Sequence, residues 1–430
     1  MKKFFYIALI FLLQTSLCFA IVENKNISLK DVIDITLKNN PDVQIEKLEV
    51  EIQKNKIKSS NALLNPTLGT FQNIGDSGRG NPQQIGMDVV VEVLKRSKRK
   101  KYAKSNHRAS QNKEEHLKQL LIYNVKKAYL DLLLAKTNYK ILTEQKKLAQ
   151  ELLSNLEESY KQNKTPKTQI IEAKISLNRL ILYMNIAKSE VVFSQNRFNS
   201  ILNTKEFNYD TKEQMLSENY SDLFAFSPLD FEINFERIKN YALNNRQDLK
   251  NAYENIQMAQ HYLAIEKSKL IPDLQVAGGW GYITKGMSEY ERFQTGAFAE
   301  VNLVNLPLFY QYKPEIQNAK LQIEQAKLRY EDIKIDVIRD LTDAYERYTI
   351  AKDNLNYYNS ELLVNSKELL DESLKSLKNN EIELTTFLVS KKLSLELILG
   401  YYQALGEYYM SCAELIKETG IQDFDEFINL

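Results

Sequence analysis

Few residues in this sequence could carry out catalysis. Gly75-Asp76-Ser77-Gly78 matches the residues around the nucleophile of one class of serine proteases. That chemistry needs a histidine to accept the serine proton and an aspartate to orient the histidine, and in that class both precede the serine. The first histidine here is His107, and Gly, Asp, Ser and the following Asn81-Pro82 are typical turn residues. We therefore predict that Ser77 is unreactive and lies in a turn.

Other kinds of chemistry have no clear motif either. The three histidines are His107, His116 and His261, and no two of them have the spacing of metal ligands. The sequence contains no Cys-x-x-Cys and no glycine-rich phosphate loop. We predict no enzymatic activity, no cofactor and no metal site.

Composition and charge narrow the class of protein. The 57 basic and 56 acidic residues give a formal net charge of +1, which provides no bulk attraction to nucleic acid. The chain has only 13 glycines and 8 prolines. So few helix breakers predict long helices.

The N-terminus has the pattern of an export signal. Lys2 and Lys3 precede the short apolar segment Phe4–Leu17, and Cys18-Phe19-Ala20 offers small residues for cleavage after residue 20. Residues 1–20 are therefore predicted to be a signal peptide. Lipidation of Cys18 remains an alternative, although Thr-Ser-Leu before it is a poor lipidation signal. No later segment has the length of apolar sequence that a transmembrane helix needs.

The sequence of the first half recurs in the second. Leu37–Val43 matches Leu243–Leu249, and the same offset pairs Pro66 with Pro272. At a slightly larger offset, Ala128-Tyr129 pairs with Ala344-Tyr345 and Ala135-Lys136 with Ala351-Lys352. This pattern indicates one internal duplication, because a solenoid needs at least three repeats.

Each half shows the same succession of periodicities. After each proline the apolar spacing changes from the helical period to strict alternation, which predicts a β-hairpin, and a long helical hairpin follows. We predict the following division: signal peptide 1–20; first repeat 21–203, with its β-hairpin about 67–94 and helical hairpin about 98–203; linker 204–230; second repeat 231–419, with its β-hairpin about 274–304 and helical hairpin about 310–419; C-terminal tail 420–430.

Four strands in an exported chain pose a physical problem. Four strands cannot close into a barrel, and an open sheet edge in lipid would leave backbone N–H and C=O groups unpaired. Either the strands belong to a soluble domain, or several chains combine them.

The layout resembles the TolC family of outer-membrane efflux proteins over nearly all of the mature chain. The resemblance is carried by the repeat, by Asn40-Pro41-Asp42, by Pro66 and Pro272 before the hairpins, and by Leu306-Pro307-Leu308-Phe309 after the last strand. It implies a mainly α fold with a small β part: a trimeric 12-stranded outer-membrane β-barrel, four strands per chain, continued by a periplasmic α-helical coiled-coil barrel.

The resemblance also implies a function. The protein would lie in the outer membrane of a Gram-negative-type bacterium, with a large periplasmic part. It would be a passive channel that receives cargo from a periplasmic adaptor and an inner-membrane transporter, in efflux or in type I secretion. The alternative is a soluble periplasmic coiled-coil scaffold or adaptor protein. In the channel, Gly75–Gly80 at the tip of the first β-hairpin would be a cell-surface loop.

In this family the periplasmic gate lies near the helical turns, and acidic rings often narrow it. The matching stretches here are Gln169–Lys174 in the first half and Thr386–Lys391 in the second. The acidic positions of well-known relatives fall on Thr386 and Val389, so their acidic pair is absent. Glu172, Glu381 and Glu383 could still supply charge, and three symmetry-related carboxylates would attract cations. The alternative is that all three are ordinary solvated helix residues.

Two further groups follow from the predicted strands. The polar face of the strands would line the barrel lumen, with Asp88, Glu92 and Glu300 as acidic candidates. A basic run follows the second strand: Lys95, Arg96, Lys98, Arg99, Lys100 and Lys101. An exported protein seldom meets nucleic acid, so we interpret this run as a membrane-rim cluster that binds lipid headgroups of the outer membrane.

Overall fold

The computed structural model describes residues 25–72, 81–204, 209–212, 233–284, 294–379 and 381–421. The described chain is mostly helical with a small amount of sheet, as the sequence predicts. Its elements in chain order are β1 Lys25–Ile27, α1 Leu29–Asn39, α2 Pro41–Ser60, β2 Thr67–Gln72, β3 Asn81–Val91, α3 Lys95–Lys161, α4 Lys167–Leu202, β4 Tyr209–Thr211, α5 Phe235–Asn245, α6 Gln247–Ser268, β5 Asp273–Thr284, β6 Gln294–Val304, α7 Lys313–Tyr357, a π-turn Tyr358–Leu362, α8 Leu363–Lys378 and α9 Leu384–Thr419.

Local sequence signals explain where the first helices begin. Ser28 and Asp31 form a capping box at the start of α1, and the hydrogen bonds from Ser28 lower the pKa of the Asp31 carboxyl. The Asn40 side chain accepts the backbone N–H of Asp42 at 2.9 Å, and Pro41 occupies the first position of α2. Each of the two helices thus begins next to a residue whose side chain caps it.

The same order of elements occurs twice: two short helices, a β-hairpin and a long helical hairpin. One side-chain contact also occurs in each half. The Tyr129 hydroxyl donates to the carbonyl of Ile27 at 3.1 Å, and the Tyr345 hydroxyl donates to the carbonyl of Ile233 at 3.4 Å. These tyrosines are the ones that the sequence comparison pairs, so the two halves share a structural contact as well as a residue pattern.

The chain forms two compact units. The first contains the described residues within 1–44, 118–240 and 339–430, and the second contains the described residues within 45–117 and 241–338. In the first unit Tyr129 packs against Phe198 at a ring distance of 5.7 Å, and β1 pairs in parallel with β4. Sequence reasoning missed this pairing and assigned residues 204–230 to a linker.

The second unit contains a four-stranded antiparallel sheet. Its strand order is β2-β3-β5-β6, so β2 and β6 are the edges and the central β3–β5 pair joins the two halves of the sequence. Gly279 on β5 could not carry a Cβ atom, because that atom would overlap the backbone of Ile85 and Gly86 on β3. The glycine is thus required by the close approach of these two strands.

A long helical hairpin follows each β-hairpin in the chain. We call α3 with α4 the first helical hairpin, and α7, the π-turn, α8 and α9 the second helical hairpin. Helix α3 runs for 67 residues. It begins at Lys95, three residues earlier than the predicted start near residue 98, because the basic run itself forms its first two turns. The π-turn in the second helical hairpin has no sequence signal that we identified.

Candidate channel-lining sites

The first predicted gate region lies at the turn end of the first helical hairpin. Ile170 and Ala173 are buried against Leu156, which fixes the start of α4 on the end of α3. Gln169 and Glu172 remain exposed. Glu172 has no hydrogen bond or ion pair with any residue that the structure describes, so its carboxylate is available to an ion or to another chain.

The second predicted gate region lies at the turn between α8 and α9. The Glu381 carboxylate accepts the Asn379 amide at 3.1 Å, and the Glu383 carboxylate accepts the Thr385 hydroxyl at 3.4 Å. Thr386 and Val389 are exposed in the first two turns of α9. The two acidic side chains are therefore held by local partners, unlike Glu172.

The structure does not join the two gate regions. No hydrogen bond or ion pair within the described ranges links Gln169 or Glu172 to Glu381, Glu383, Thr386 or Val389. Their role in a gate stays a prediction, because a three-fold assembly would decide which of them face the same opening.

The polar face of the sheet brings two lumen candidates into one row. Asp88 on β3 lies opposite Ala277 on β5, which lies opposite Glu300 on β6, and directly paired residues of an antiparallel sheet share a face. The Gln275 amide donates to Asp88 at 2.9 Å, and the Asn302 amide donates to Glu300 at 2.8 Å. The third candidate, Glu92, lies just beyond β3 and forms an ion pair with Arg99.

The opposite face of the sheet is apolar and exposed. Register places Val91, Leu274 and Leu303 in one row of this face, and Ile85 and Trp280 in another. More than half of the Trp280 and Leu303 side chains is accessible, at 53% and 58%. A sheet with a polar, glycine-rich face and an exposed apolar face is typical of strands between water and lipid.

The basic cluster occupies the first two turns of α3. Lys95 forms an ion pair of 2.7 Å with Asp273, the first residue of β5, and Arg99 pairs with Glu92. The Asp273 side chain is almost fully buried, so removal of Lys95 would leave a buried charge without its cation. Lys95 thus joins the helix to the sheet, and Arg99 joins it to the segment that follows β3. Lipid binding by the cluster stays a prediction.

The described ranges contain neither a cluster of metal ligands nor a membrane-spanning helix. No group of three or more His, Cys, Asp or Glu side chains there is arranged to hold a metal ion. None of the described helices combines the length and apolar character that crossing a bilayer would require. Ser77 and the rest of Gly75–Gly80 lie outside the described residues.

The fold matches those of solved outer-membrane channels. CusC has a TM-score of 0.71 and 13% sequence identity, with 93% of each chain covered. CmeC of Campylobacter jejuni has a TM-score of 0.64 and 17% identity, covering 93% of this chain and 88% of its own. MtrE of Neisseria gonorrhoeae, solved in its open state, has a TM-score of 0.62 and 18% identity, covering 91% and 89%. These matches define the fold.

The comparison of sequences points to the same class. Residues 239–371 match the family model described as outer membrane efflux protein. The resemblance to the TolC family of outer-membrane efflux proteins is confirmed by this match together with the shared fold. No curated protein matches the sequence.

Sequence reasoning found the residue groups but not their partners. Alternation along the strands identified Asp88 and Glu300, and only the register of β3, β5 and β6 shows that they share a row. Asp273 was missed, although an acidic residue at the first position of a strand, next to the strand-breaking Pro272, is a signal that could have been noticed.

Proposed function

We propose that this protein is the outer-membrane channel subunit of a tripartite efflux or type I secretion system. It would conduct cargo passively from a periplasmic adaptor and inner-membrane transporter to the cell exterior. The proposal includes a homotrimer in the outer membrane of a Gram-negative-type bacterium, with a large periplasmic part. No catalytic step is proposed for the chain.

One observation carries the proposal: the sheet has an exposed apolar face but two open edges. Strands β2 and β6 have no neighbour on their outer sides within the described chain. In lipid each unpaired backbone group would cost several kcal/mol by the usual ~2–7 kcal/mol estimate for unpaired polar groups. Edge pairing between copies removes that cost, and three copies would supply twelve strands for a closed barrel.

Reconstitution tests the channel directly. The purified protein should separate with outer membranes, require detergent to remain soluble, and give discrete conductance steps in planar bilayers. A scaffold or adaptor would remain soluble without detergent and give no steps. Solubility without detergent and absence of conductance steps would contradict the proposal.

Surface labelling tests the proposed orientation. An epitope tag inserted after Gly78 should be stained on intact cells, because the hairpin tips would face away from the periplasm. The matched control is a tag in the turn at Asn163, which should be stained only after the outer membrane is permeabilised. The reverse pattern would overturn the proposed topology.

Deletion of the gene tests the cargo class. Greater sensitivity to toxic compounds would indicate efflux, and loss of a secreted polypeptide with unchanged sensitivity would indicate secretion. A deletion strain with neither change, under conditions where the protein is expressed, would contradict a conduit function.

The first mutational prediction concerns Glu172. In a trimer three copies of this unpartnered carboxylate would lie near the entrance, so Glu172→Gln should weaken cation preference by a few-fold, or relieve block by divalent cations. The matched control is Glu324→Gln, which removes an exposed carboxylate on α7 that also has no partner among the described residues, and it should leave the reversal potential unchanged. Unchanged selectivity in Glu172→Gln would remove this residue from the gate.

A further inference from the structure

An exposed apolar loop follows the last strand of the sheet. We call residues 305–312, between β6 and α7, the rim loop. Leu308 is 72% exposed and Phe309 is fully exposed, at 102% of its reference area. Two adjacent large apolar side chains that no described residue covers are unusual for a surface that faces only water.

The backbone of the rim loop is built to present these two side chains. Asn305 and Tyr312 at its ends adopt left-handed conformations, with φ of 59° and 52°. The Leu308 N–H donates to the Leu306 carbonyl at 2.9 Å, which closes a tight turn around Pro307. Leu308 and Phe309 follow this turn directly and are both exposed.

Aromatic contacts hold the C-terminal side of the rim loop. The Tyr310 hydroxyl donates to the Glu315 carboxylate at 2.8 Å, and the rings of Tyr310 and Tyr312 meet edge to face at 5.2 Å. The ammonium group of Lys269 lies 5.7 Å from the Tyr312 ring centre. The exposed pair therefore lies between anchored residues.

A shared carboxylate places the rim loop beside the basic cluster. Asp273 Oδ2 accepts the Asn305 amide at 2.9 Å and the Lys95 ammonium at 2.7 Å. Asn305 begins the rim loop and Lys95 begins α3, so both meet at the same end of the sheet. Arg96, the next residue of α3, is exposed there.

The apolar face of the sheet continues into the rim loop. Val301 and Leu303 on β6 are 65% and 58% exposed on that face, and the chain reaches Leu306 three residues after Leu303. Exposed apolar strands, then aromatic residues, then cations form the sequence of layers found where a protein passes from lipid to water.

We propose that Leu308 and Phe309 insert into the headgroup region of the periplasm-facing phospholipid leaflet, while Arg96 and its basic neighbours bind the lipid phosphates. This inference rests on the proposed function, since it requires the sheet to lie in the outer membrane. In this proposal the membrane boundary lies at the rim loop, which has a counterpart of only three residues in the first half. In the first half, three residues connect β3 directly to α3.

A single native tryptophan makes the test direct. Trp280 is the only tryptophan, so Phe309→Trp in a Trp280→Phe background reports from the rim loop alone. The assembled channel is reconstituted in vesicles of phosphatidylglycerol and phosphatidylethanolamine, with brominated lipids as quenchers. We expect stronger quenching of the tryptophan at position 309 by bromines near the headgroup than by bromines near the bilayer centre.

Two reference proteins separate the possible outcomes. Unmodified protein should show quenching of Trp280, which lies on the exposed apolar face. Tyr357→Trp with Trp280→Phe places a tryptophan at an exposed position of α7 and should show none. Leu308→Trp in the same background repeats the test if Phe309→Trp fails to assemble.

Each contrary result has a distinct meaning. If Trp280 is quenched and the tryptophan at 309 or 308 is not, the lipid contact is overturned while the channel stands. If the rim-loop tryptophan emits at short wavelength but resists bromolipids, a second protein chain covers the loop, and the inference is equally overturned. If Trp280 is also unquenched, the membrane placement itself fails.

Discussion

The two helical hairpins have the same outline but different interiors. In the first, Leu142, Leu180 and Ala187 form one buried cluster, and Leu156 with Ile170 and Ala173 forms a second. In α8 of the second, the only buried residues are Ser366 and Ser373. The first hairpin thus buries two apolar clusters along its length, whereas the far part of the second buries one leucine, Leu388 on α9, among small polar side chains.

Both helical hairpins also expose apolar residues, such as Ile175 and Leu182 on α4 of the first. In the second, Val364 is 56% exposed and Val389 is 55% exposed, and Leu393 is also accessible. Inside, the Ser366 hydroxyl donates to the Ser394 hydroxyl at 2.8 Å. Because stabilisation grows with the apolar area removed from water, the far part of the second hairpin should open more readily than that of the first.

A second difference lies in the helix geometry. Helix α3 is continuous from Lys95 to Lys161, whereas the π-turn Tyr358–Leu362 interrupts the corresponding helix of the second half. Gly400 on α9 lies against the Tyr358 side chain, and a Cβ atom there would overlap the Tyr358 hydroxyl. A single π-helical turn widens a helix locally. Here Tyr358 in that turn packs against Gly400 of α9, where there is no side chain to obstruct it.

The largest effect is expected from a leucine in the first hairpin. Leu180→Ala should lower the free energy of unfolding by ~2–5 kcal/mol, because it opens a cavity in a closed apolar cluster. The matched variant in the second hairpin is Leu369→Ala, where a side chain that is 37% exposed should cost less than ~1 kcal/mol. Chemical denaturation in detergent measures both. Equal losses would contradict the proposed difference between the interiors.

A steric change at the π-turn should have the next largest effect. Gly400→Leu forces the Tyr358 ring away from α9 and should destabilise the protein by ~1–3 kcal/mol. The double variant Gly400→Leu with Tyr358→Ala vacates the space and should recover part of the loss. If the double variant is no more stable than Gly400→Leu, the loss does not come from overlap with the Tyr358 side chain. Thermal unfolding followed by circular dichroism is the measurement.

The smallest effect is expected from the serine pair. Ser366→Ala removes one partner of a buried hydrogen bond and should cost ~1 kcal/mol, because Ser394 is left without its partner. Ser366→Ala with Ser394→Ala removes both hydroxyls and should return close to the parent stability. Additive losses in the double variant, measured by the same denaturation, would show that the hydrogen bond makes no net contribution.

Much of the fold could be predicted because its signals are local. Ser28 with Asp31 and Asn40 with Pro41 identify helix starts through side chains that reach only two or three residues along the chain. Strict alternation identified β3, β5 and β6. By contrast, β1 and β4 have three residues each, too few for any periodicity, so their pairing depends on tertiary contacts that no local pattern records.

The candidate sites were less predictable because their geometry depends on distant partners. Tyr129 and Tyr345 were found as a repeated pair, but the carbonyls that they bind lie far away in sequence, at Ile27 and Ile233. Which face Glu172 presents to a neighbour depends on an assembly that one sequence does not encode locally. The rim loop was noticed only as a family resemblance, and its exposure became visible only with side chains in place.

The strand order also affects when the sheet can form during folding. The centre of the sheet pairs Asn81–Val91 with Asp273–Thr284, so it cannot form until the chain has been synthesised well past its midpoint. Contacts between such distant segments carry a large loop-closure cost and form slowly. Until then β3 has an unpaired edge. The sheet is therefore expected to form later than the helices of the first half, whose backbone hydrogen bonds are local.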